Sequence, residues 1–541
     1  MSNSLDSNLI LGWQVTSAHE PVYWLDTSAR AGFQPEDELI KVSAESVANH
    51  TAIIAQSGSG KSFFLGRLIE EILLRTKADC LVFDPNADFR KANQIEDRSL
   101  WEDAKYDTIK QRGKLPHEKS WEEFKAEWLK IPITIRQSGL GSTNNPDPLV
   151  LWWPSLSADF MSEDLDSMLR SELYHCHSFV QALAVLAEIK SLKTNQEIDI
   201  FDQAQELFPL MKANTGNSVD SKEFDTFEKG KEAVSLGHFW KRVFSYLNPP
   251  IQKDSAQKVR SALRRLVGIP PEPDFLQRAI WRANIEHSLQ IIQTAPKYVS
   301  NEVQRFYFSK IGEYRAAGII KTTTPRGNLY RPFFQPMELV KESTFRARVR
   351  LEVIDLPSLD SKSTRLLAIN SLLTMKWHYA QMAWEKALKM PASEDQRTPL
   401  FIVVDEAHNL IPAEVRSRAE IALREQFRTI IAEGRKYGLF LILVTQRPDK
   451  LDPLILSECE NKAIMKLSSP SVLRITKKML GLEDLPPSLL DQCLTFKTGR
   501  ALLCGRWSAE HPQILYSAAR RTIEGGRNLQ PDYWAVSSST Q

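Results

Sequence analysis

Five consecutive residues, Gly58-Ser59-Gly60-Lys61-Ser62, have the types and spacing of a phosphate cradle. Glycines let successive backbone N–H groups converge on a β-phosphate, and a helix N-terminus behind them favours negative charge. In such a loop Lys61 reaches the β- and γ-phosphates, and the Ser62 hydroxyl binds Mg²⁺. Ala55 stands where the first glycine of G-x-x-x-x-G-K-[ST] belongs, a replacement tolerated where φ is negative. The plainer alternative is a Gly-Ser turn with an incidental lysine. A second reactive group lies far along the chain. Asp405 suits a Mg²⁺ coordination shell, and its neighbour Glu406 suits general-base activation of the water that attacks a phosphoryl group. Further on, Gln446 can sense a γ-phosphate or orient water, and the cationic Arg447 follows it. These residues predict a nucleotide as the ligand and Mg²⁺ as its companion, with Ser62 and Asp405 as the metal's protein ligands.

The elements around these residues must bring them to one place. Ala52 to Ile54 is a short apolar run of the kind that forms a buried parallel strand. From Lys61 onward Phe64, Leu65, Leu68, Ile69, Ile72 and Leu73 recur at helical spacing, so the loop joins a strand to a helix. Leu400 to Val404 is a second apolar strand, and its C-terminal end delivers Asp405 and Glu406 to the edge where ligands of open α/β sheets gather. Ala413 to Lys436 reads as one long charged helix closed by Tyr437-Gly438 in the manner of a glycine C-cap. Leu439 to Val444 is a further buried strand, ending in "TQRP". Strand and helix alternate, which predicts an α/β fold with a mostly parallel sheet.

Composition narrows the class. At 541 residues the chain exceeds what one core usually organises, and 42% hydrophobic with 25% charged residues is the balance of a globular protein. A net charge of +2 gives no global argument for a nucleic-acid partner, so such binding must come from local patches. Cys80, Cys176, Cys459, Cys493 and Cys504 form no Cys-x-x-Cys pair and read as buried free thiols in a reducing compartment. His175-Cys176-His177 looks metal-like, but adjacent helical positions point in different directions. The opening "MSNSLDSNLILGW" lacks a signal peptide's basic flank and apolar run, and "GLFLILV" is too short to cross a bilayer. A cytoplasmic protein without membrane contact is the expectation.

Asp-Glu-Ala-His suggests a two-domain helicase box, but more than 300 residues separate Lys61 from Asp405 and too little chain follows for a second lobe. Coiled-coil ATPases share the long separation, yet sustained heptads and a Leu-Ser-Gly-Gly signature are missing. The segments "AQSGSGKS", "LVFDPNADF", "LEVIDLPSLD", "VVDEAHNLIP", "EGRKYGLFLILVTQRP" and "GRALLCG…RRTIEGG" occur in the order seen in HerA-type ATPases, relatives of the FtsK DNA pumps, and over roughly half its length the chain resembles them.

That resemblance implies a RecA-like P-loop ATPase core in a homohexameric ring that hydrolyses ATP between subunits and threads double-stranded DNA. Carried over by position, Gly58, Ser59, Gly60, Lys61 and Ser62 hold the nucleotide, Asp405 and Ser62 the metal, and Glu406 and Gln446 are catalytic. Arg435 matches the arginine presented to the neighbouring subunit's nucleotide, although it also suits a helix C-terminus through the macrodipole. Asp84, Asn86 and Asp88 occupy the family's second-strand motif, where Asn86, Ala87, Asp88 and Phe89 depart from the usual Asp-Pro-His-Gly-Glu-Tyr, so that a catalytic role for Asp88 is weakly supported. The resemblance further implies a separate nuclease or other effector as partner, and a role in antiviral defence is compatible with it. Two other functions share the core: a hexameric scaffold that regulates an effector enzyme, and a conjugation or secretion ATPase.

The expected organisation is a short β-rich N-terminal segment or reduced barrel over 1–45, the first part of the core over 46–156, a helical insertion domain over 157–340, the second part of the core over 341–530, and a tail over 531–541. Strands are expected at "IPITIRQ" and "PLVLWWP" ahead of the insertion. Lys258, Arg260, Arg264 and Arg265 on one insertion helix, and Arg346, Arg348 and Arg350 along one strand face, are candidate DNA phosphate contacts, with a merely solvated charged face as the alternative.

Overall fold

The computed structural model describes residues 8–14, 39–98, 120–138, 148–149, 151–152, 167–194, 199–213, 291–292, 294–316, 318, 320–323, 349–359, 361–391, 394–395, 397–508 and 511–525. Among these the strands are β1 Leu9–Gln14, β2 Leu39–Val42, β3 Thr51–Ile54, β4 Asp79–Asp84, β5 Ile133–Ser138, β6 Pro148–Leu149, β7 Leu151–Trp152, β8 Ile320–Lys321, β9 Leu351–Asp355, β10 Leu400–Val404, β11 Leu439–Thr445, β12 Asn461–Ile464, β13 Arg500–Cys504 and β14 Gln513–Ser517. The principal helices are α1 Lys61–Arg75, α2 Trp121–Trp128, α3 Ser167–Thr194, α4 Ile200–Ala213, α5 Asn301–Ala316, α6 Lys362–Ala387 and α7 Arg418–Tyr437.

Twelve of the strands form one sheet in the order β2-β1-β14-β13-β12-β3-β11-β10-β4-β9-β5-β6. The run from β12 to β6 is parallel throughout, while β13, β14, β1 and β2 continue it as an antiparallel margin. Parallel strands covered on both faces must be apolar along their whole length. The sequence supplies this: every residue of β3, β9 and β11 is buried. The fold is thus α/β with a mostly parallel sheet, as the alternation of elements predicted.

Two helix boundaries show how local chemistry sets the elements. The apolar positions of α1, from Phe64 to Leu73, are all buried. Helix α7 starts at Arg418 rather than at the expected Ala413, because Ser417 and Glu420 form a reciprocal capping box there. Residues ahead of it are already committed elsewhere: Pro412 bridges Leu451, and the Ala413 N–H donates to the Lys450 carbonyl at 2.8 Å. The helix ends on Gly438 at φ 80°.

The chain divides into two compact units, one of residues 1–138, 144–149 and 347–541, the other of 139–143 and 150–346. The first holds the twelve-stranded sheet. In it β1 pairs with β14 and β2 with β1, so of the two expectations for the N-terminal segment, a reduced barrel or a few strands, the described residues form strands that extend the main sheet. The second is helical, with α3, α4 and α5 packed around Phe179, Phe208 and Phe308, and a two-stranded parallel β7–β8 pair. The segment "PLVLWWP" is therefore split, with β6 in the first unit and β7 in the second. His177 bonds the Tyr307 hydroxyl at 2.8 Å, Cys176 is buried beside it, and His175 lies against Tyr298. All five cysteines are free and buried. Among the described residues no helix is long and apolar enough to cross a membrane.

Candidate nucleotide-binding site

Strand β3 ends at Ile54 and α1 begins at Lys61, so Ala55 to Gly60 forms the loop between them at the C-terminal edge of the parallel strands. Gly58 and Gly60 have φ of +76° and +89°, a region that glycine enters without the steric cost other residues bear. Behind them the Gly499 N–H donates to the Ser59 carbonyl at 2.8 Å and the Thr498 hydroxyl to the Gly58 carbonyl at 3.2 Å, bracing the loop from the β13 side. The Ser59 Oγ and Gln56 Oε1 atoms are buried without a hydrogen-bond partner. A side chain on Gly58 would meet nothing within 4 Å, so the loop opens onto free space. An open glycine loop of this kind can admit a phosphate group.

The acidic strand β10 is separated from β3 by one strand, β11. Its register carries Asp405 to the same edge, and Lys61 Nζ reaches Asp405 Oδ1 at 2.8 Å while also pairing with Glu406 Oε1. Burial alone would lower the Lys61 ammonium, but the two carboxylates outweigh it and hold the lysine above its usual range. Asp405 is fixed further by the Glu406 N–H at 2.9 Å and by Asn86 Nδ2 at 3.3 Å. Glu406 sits at φ 45°, ψ 48°, a left-handed conformation that costs a non-glycine residue about 1 kcal/mol or more and typically marks functional sites. Its Oε2 is buried without a hydrogen-bond partner.

Ser62 Oγ donates to Asp88 Oδ2 at 2.7 Å. Asp88 stands in a turn that Asp84 organises by accepting the N–H groups of Asn86, Asp88 and Phe89. Burial pushes the Asp84 carboxyl up to about 7, with Asp88 and Asp405 adding to the rise against those N–H bonds. Arg520 closes the turn from the far end of the chain, donating to the Asp88 carbonyl at 3.2 Å and lying 4.6 Å from the Phe89 ring centroid. Sequence reading gave Asp88 little weight; the structure puts it on the serine assigned to the metal. Among the described residues no group of three or more His, Cys, Asp or Glu forms a ready-made metal centre. The oxygens of Ser62, Asp405 and Asp88 are hard donors of the kind Mg²⁺ takes when substrate phosphates complete its shell.

On β11, Thr445 pairs with Ile54 and its carbonyl accepts the Ala55 N–H at 3.0 Å, so the strand ends beside the loop. Gln446 and Arg447 follow it, both exposed, and with Gln56, Leu467, Ser468 and Val472 they line a cavity of about 340 Å³. His408, which sequence reading passed over, bridges the two strands: its Nδ1 bonds Thr445 Oγ1 at 2.9 Å and lies 3.5 Å from Glu406 Oε2. Burial is the main cause that lowers the His408 imidazole, so the ring is neutral at neutral pH. Asp355, on the same sheet edge, is held by Arg90 Nε and Gln137 Nε2, each at 2.7 Å.

Arg435 is not brought to this site. It lies in the last turn of α7, ahead of β11, hence at the opposite edge of the parallel strands, and pairs there with Glu460. The seven-residue β11 alone spans about 20 Å. Of the candidate DNA contacts, Lys258, Arg260, Arg264, Arg265, Arg346 and Arg348 lie outside the described residues. Arg350 is turned inward, donating to the Thr76 and Ala78 carbonyls at 2.9 and 2.6 Å, which makes it a fastener of the α1–β4 turn and not a surface cation.

Residues 36–136 match the family model described as helicase HerA, central domain, and residues 339–467 match that of the ATPase family associated with various cellular activities. A probable helicase of Methanocaldococcus jannaschii is 33% identical over 120 residues, 22% of each chain. A DNA double-strand break repair helicase HerA of Sulfolobus acidocaldarius is 30% identical over 158 residues, 29% of each chain. The chain therefore spans less than a third of the length of these relatives. Among solved structures, VirB4 of Thermoanaerobacter pseudethanolicus aligns over 96% of this chain and 98% of its own, at 13% identity and a TM-score of 0.39. With the HerA model on the phosphate loop and the ATPase model on the acidic strand, above a parallel sheet that places one strand between them, the chain carries a P-loop ATPase core similar to the HerA central domain.

Proposed function

We propose that this protein is an ATP-driven translocase of double-stranded DNA, working as a homohexameric ring with a separate nuclease or other effector. The observation that carries the ATPase half is the meeting of Lys61 with Asp405 and Glu406, drawn from opposite ends of the chain to the open face of the glycine loop. When ATP enters, Lys61 exchanges its two carboxylate partners for the β- and γ-phosphates, and the loop N–H groups orient the triphosphate. Ser62 and Asp405 would hold Mg²⁺, which would supply charge neutralisation for the triphosphate. Glu406, released by Lys61, accepts a proton from the attacking water, and Gln446 at the end of β11 orients that water or registers the γ-phosphate.

The ring reading is supported by Arg435. About 20 Å from its own phosphate loop along β11, it serves hydrolysis only by reaching the nucleotide of another copy. Such an arginine contributes about 10³–10⁵ in rate. The DNA reading is supported by the names of the relatives matched over the core. Steady-state ATP hydrolysis with and without long double-stranded DNA at moderate salt tests it. Stimulation that disappears in Glu406→Gln and weakens with salt is expected; turnover indifferent to DNA refutes the motor. Native mass spectrometry giving a subunit number other than six refutes the ring.

A further inference from the structure

The edge of the sheet that carries Arg435 holds a second guanidinium. Glu460 immediately precedes β12, and Arg506 follows the end of the antiparallel β13, so both belong to the same edge as the C-terminus of α7. One carboxylate joins the two cations: Glu460 Oε1 pairs with Arg435 Nη1, and Glu460 Oε2 lies 2.8 Å from Arg506 Nε in a second ion pair. The side chains of Arg435 and Arg506 remain 44% and 58% exposed.

The backbone fixes this arrangement. Gly505 adopts φ +96°, and a Cβ there would lie 2.0 Å from the Glu460 carbonyl oxygen, so the turn bearing Arg506 sits directly on the Glu460 peptide. The Trp507 N–H donates to Asn461 Oδ1 at 3.2 Å and the Trp507 indole N–H to the Cys504 carbonyl at 2.9 Å, anchoring the turn against the start of β12. Arg506 is therefore placed by main chain and buried tryptophan, and not by its ion pair. Two guanidinium forks on rigid mounts, sharing one acid, leave a net positive charge facing solvent. Guanidinium groups match phosphate oxygens in bidentate fashion, and an exposed carboxylate is a weak competitor for them.

We infer that Arg506 is a second cation which this chain lends, beside Arg435, to the phosphates of the nucleotide held by a neighbouring copy, with Glu460 aligning the two guanidinium groups until those phosphates displace it. The inference rests on the ring reading above. It adds a residue from a segment nearly 70 positions beyond the helix that carries Arg435, and it makes Glu460 a positioning residue for both.

Subunit mixing tests it. Arg506→Ala and Arg435→Ala are assayed for ATP hydrolysis alone and after mixing with Lys61→Ala, a protein with both arginines intact and a disabled loop. Each arginine variant alone is expected to lose about 10²-fold or more in kcat while binding a fluorescent ATP analogue at its own loop as the unaltered protein does. Mixed rings contain interfaces that join an intact loop to an intact arginine pair, so each mixture is expected to regain at least about tenfold over its parts. Arg506→Ala within twofold of the unaltered rate overturns the inference. So does a loss in Arg506→Ala that mixing fails to restore while Arg435→Ala is restored, since Arg506 then acts within its own chain. If neither is restored, the ring reading itself falls. Glu460→Gln, which leaves the two guanidinium groups unaligned, is expected to lower kcat about three- to tenfold at unchanged binding of the fluorescent ATP analogue; a kcat equal to that of the unaltered protein overturns its positioning role.

Discussion

Replacing Glu406 by glutamine separates the contact with Lys61 that the structure shows from the general-base role proposed above for the same carboxylate. In the nucleotide-free protein Glu406 shares Lys61 with Asp405, and ATP must displace both contacts before the lysine can reach phosphate. Two unit charges at the 2.8 Å of the Asp405 pair attract by roughly 6 kcal/mol at an effective dielectric constant of 20, before desolvation is subtracted. Charged hydrogen bonds retain a net worth of about 1.5–3 kcal/mol. An amide oxygen keeps part of this, so the substitution returns about 1 kcal/mol to ATP binding, equivalent to roughly fivefold lower Kd. Loss of the general base meanwhile slows hydrolysis by about 10²–10⁴. Equilibrium titration with a fluorescent ATP analogue at fixed Mg²⁺, paired with single-turnover hydrolysis, measures both. Tighter binding with collapsed turnover is expected. Weaker binding, or turnover within threefold of the unaltered protein, would refute the reasoning that Lys61 is held in check by the residue that later activates water.

Three further outcomes follow from the packing. Burial alone would raise the Glu352 carboxyl, but Lys376 and Arg136 outweigh it and hold it at about 2 against an ordinary 4.5. A depressed carboxyl contributes stability that is fully present above pH 4.5 and fades as pH falls towards 2, here about 3 kcal/mol; urea midpoints measured from pH 2 to 7 should lose that acid limb in Glu352→Gln, and an unchanged limb would contradict the assignment. Arg520→Ala removes bonds to the Asp88 and Ile523 carbonyls and the Phe89 ring contact, for an expected loss of about 3–4 kcal/mol in denaturant unfolding; a loss below 1 kcal/mol would mean that the C-terminal segment does not support the Asp88 turn. His408→Ala removes the imidazole that bonds Thr445 beside Glu406 and should lower kcat about ten- to hundredfold at unchanged ATP affinity, whereas a change in affinity alone would place His408 in binding instead.

What the sequence disclosed and what it withheld differ in range along the chain. The meeting of Lys61 with Asp405 and Glu406 was legible because unbroken apolar runs before each motif imply parallel strands, and parallel strands deliver their following residues to one edge. Gly438 was legible for an equally local reason. Asp88 was not, since its approach to Ser62 depends on a positive φ at Ala87 and on Arg520, more than 400 residues away. His408 reads as part of a familiar tetrapeptide until Thr445 is found beside it. Arg350 shows the converse error: alternation of Arg346, Arg348 and Arg350 looked like a cationic strand face, but two backbone carbonyls of the α1–β4 turn claim the last of them. Strand content at the N-terminus was readable too, yet nothing local says whether such strands close on themselves or join a larger sheet.

The strand order bears on how the chain reaches this state. Among the described residues strand β3, which leads into the phosphate loop, hydrogen-bonds only to β11 and β12, and β4 only to β9 and β10. Every one of those partners begins at residue 351 or later. During synthesis the apolar β3 and β4 therefore have no ladder to join until most of the chain has been made, and unpaired apolar edges of this kind invite pairing with other chains. The closing step is a set of contacts of very long sequence separation, which makes it slow. Nucleotide affinity is accordingly a property that no N-terminal piece can show: the loop acquires its sheet, its braces at Thr498 and Gly499 and its acidic partners together, at the end of folding.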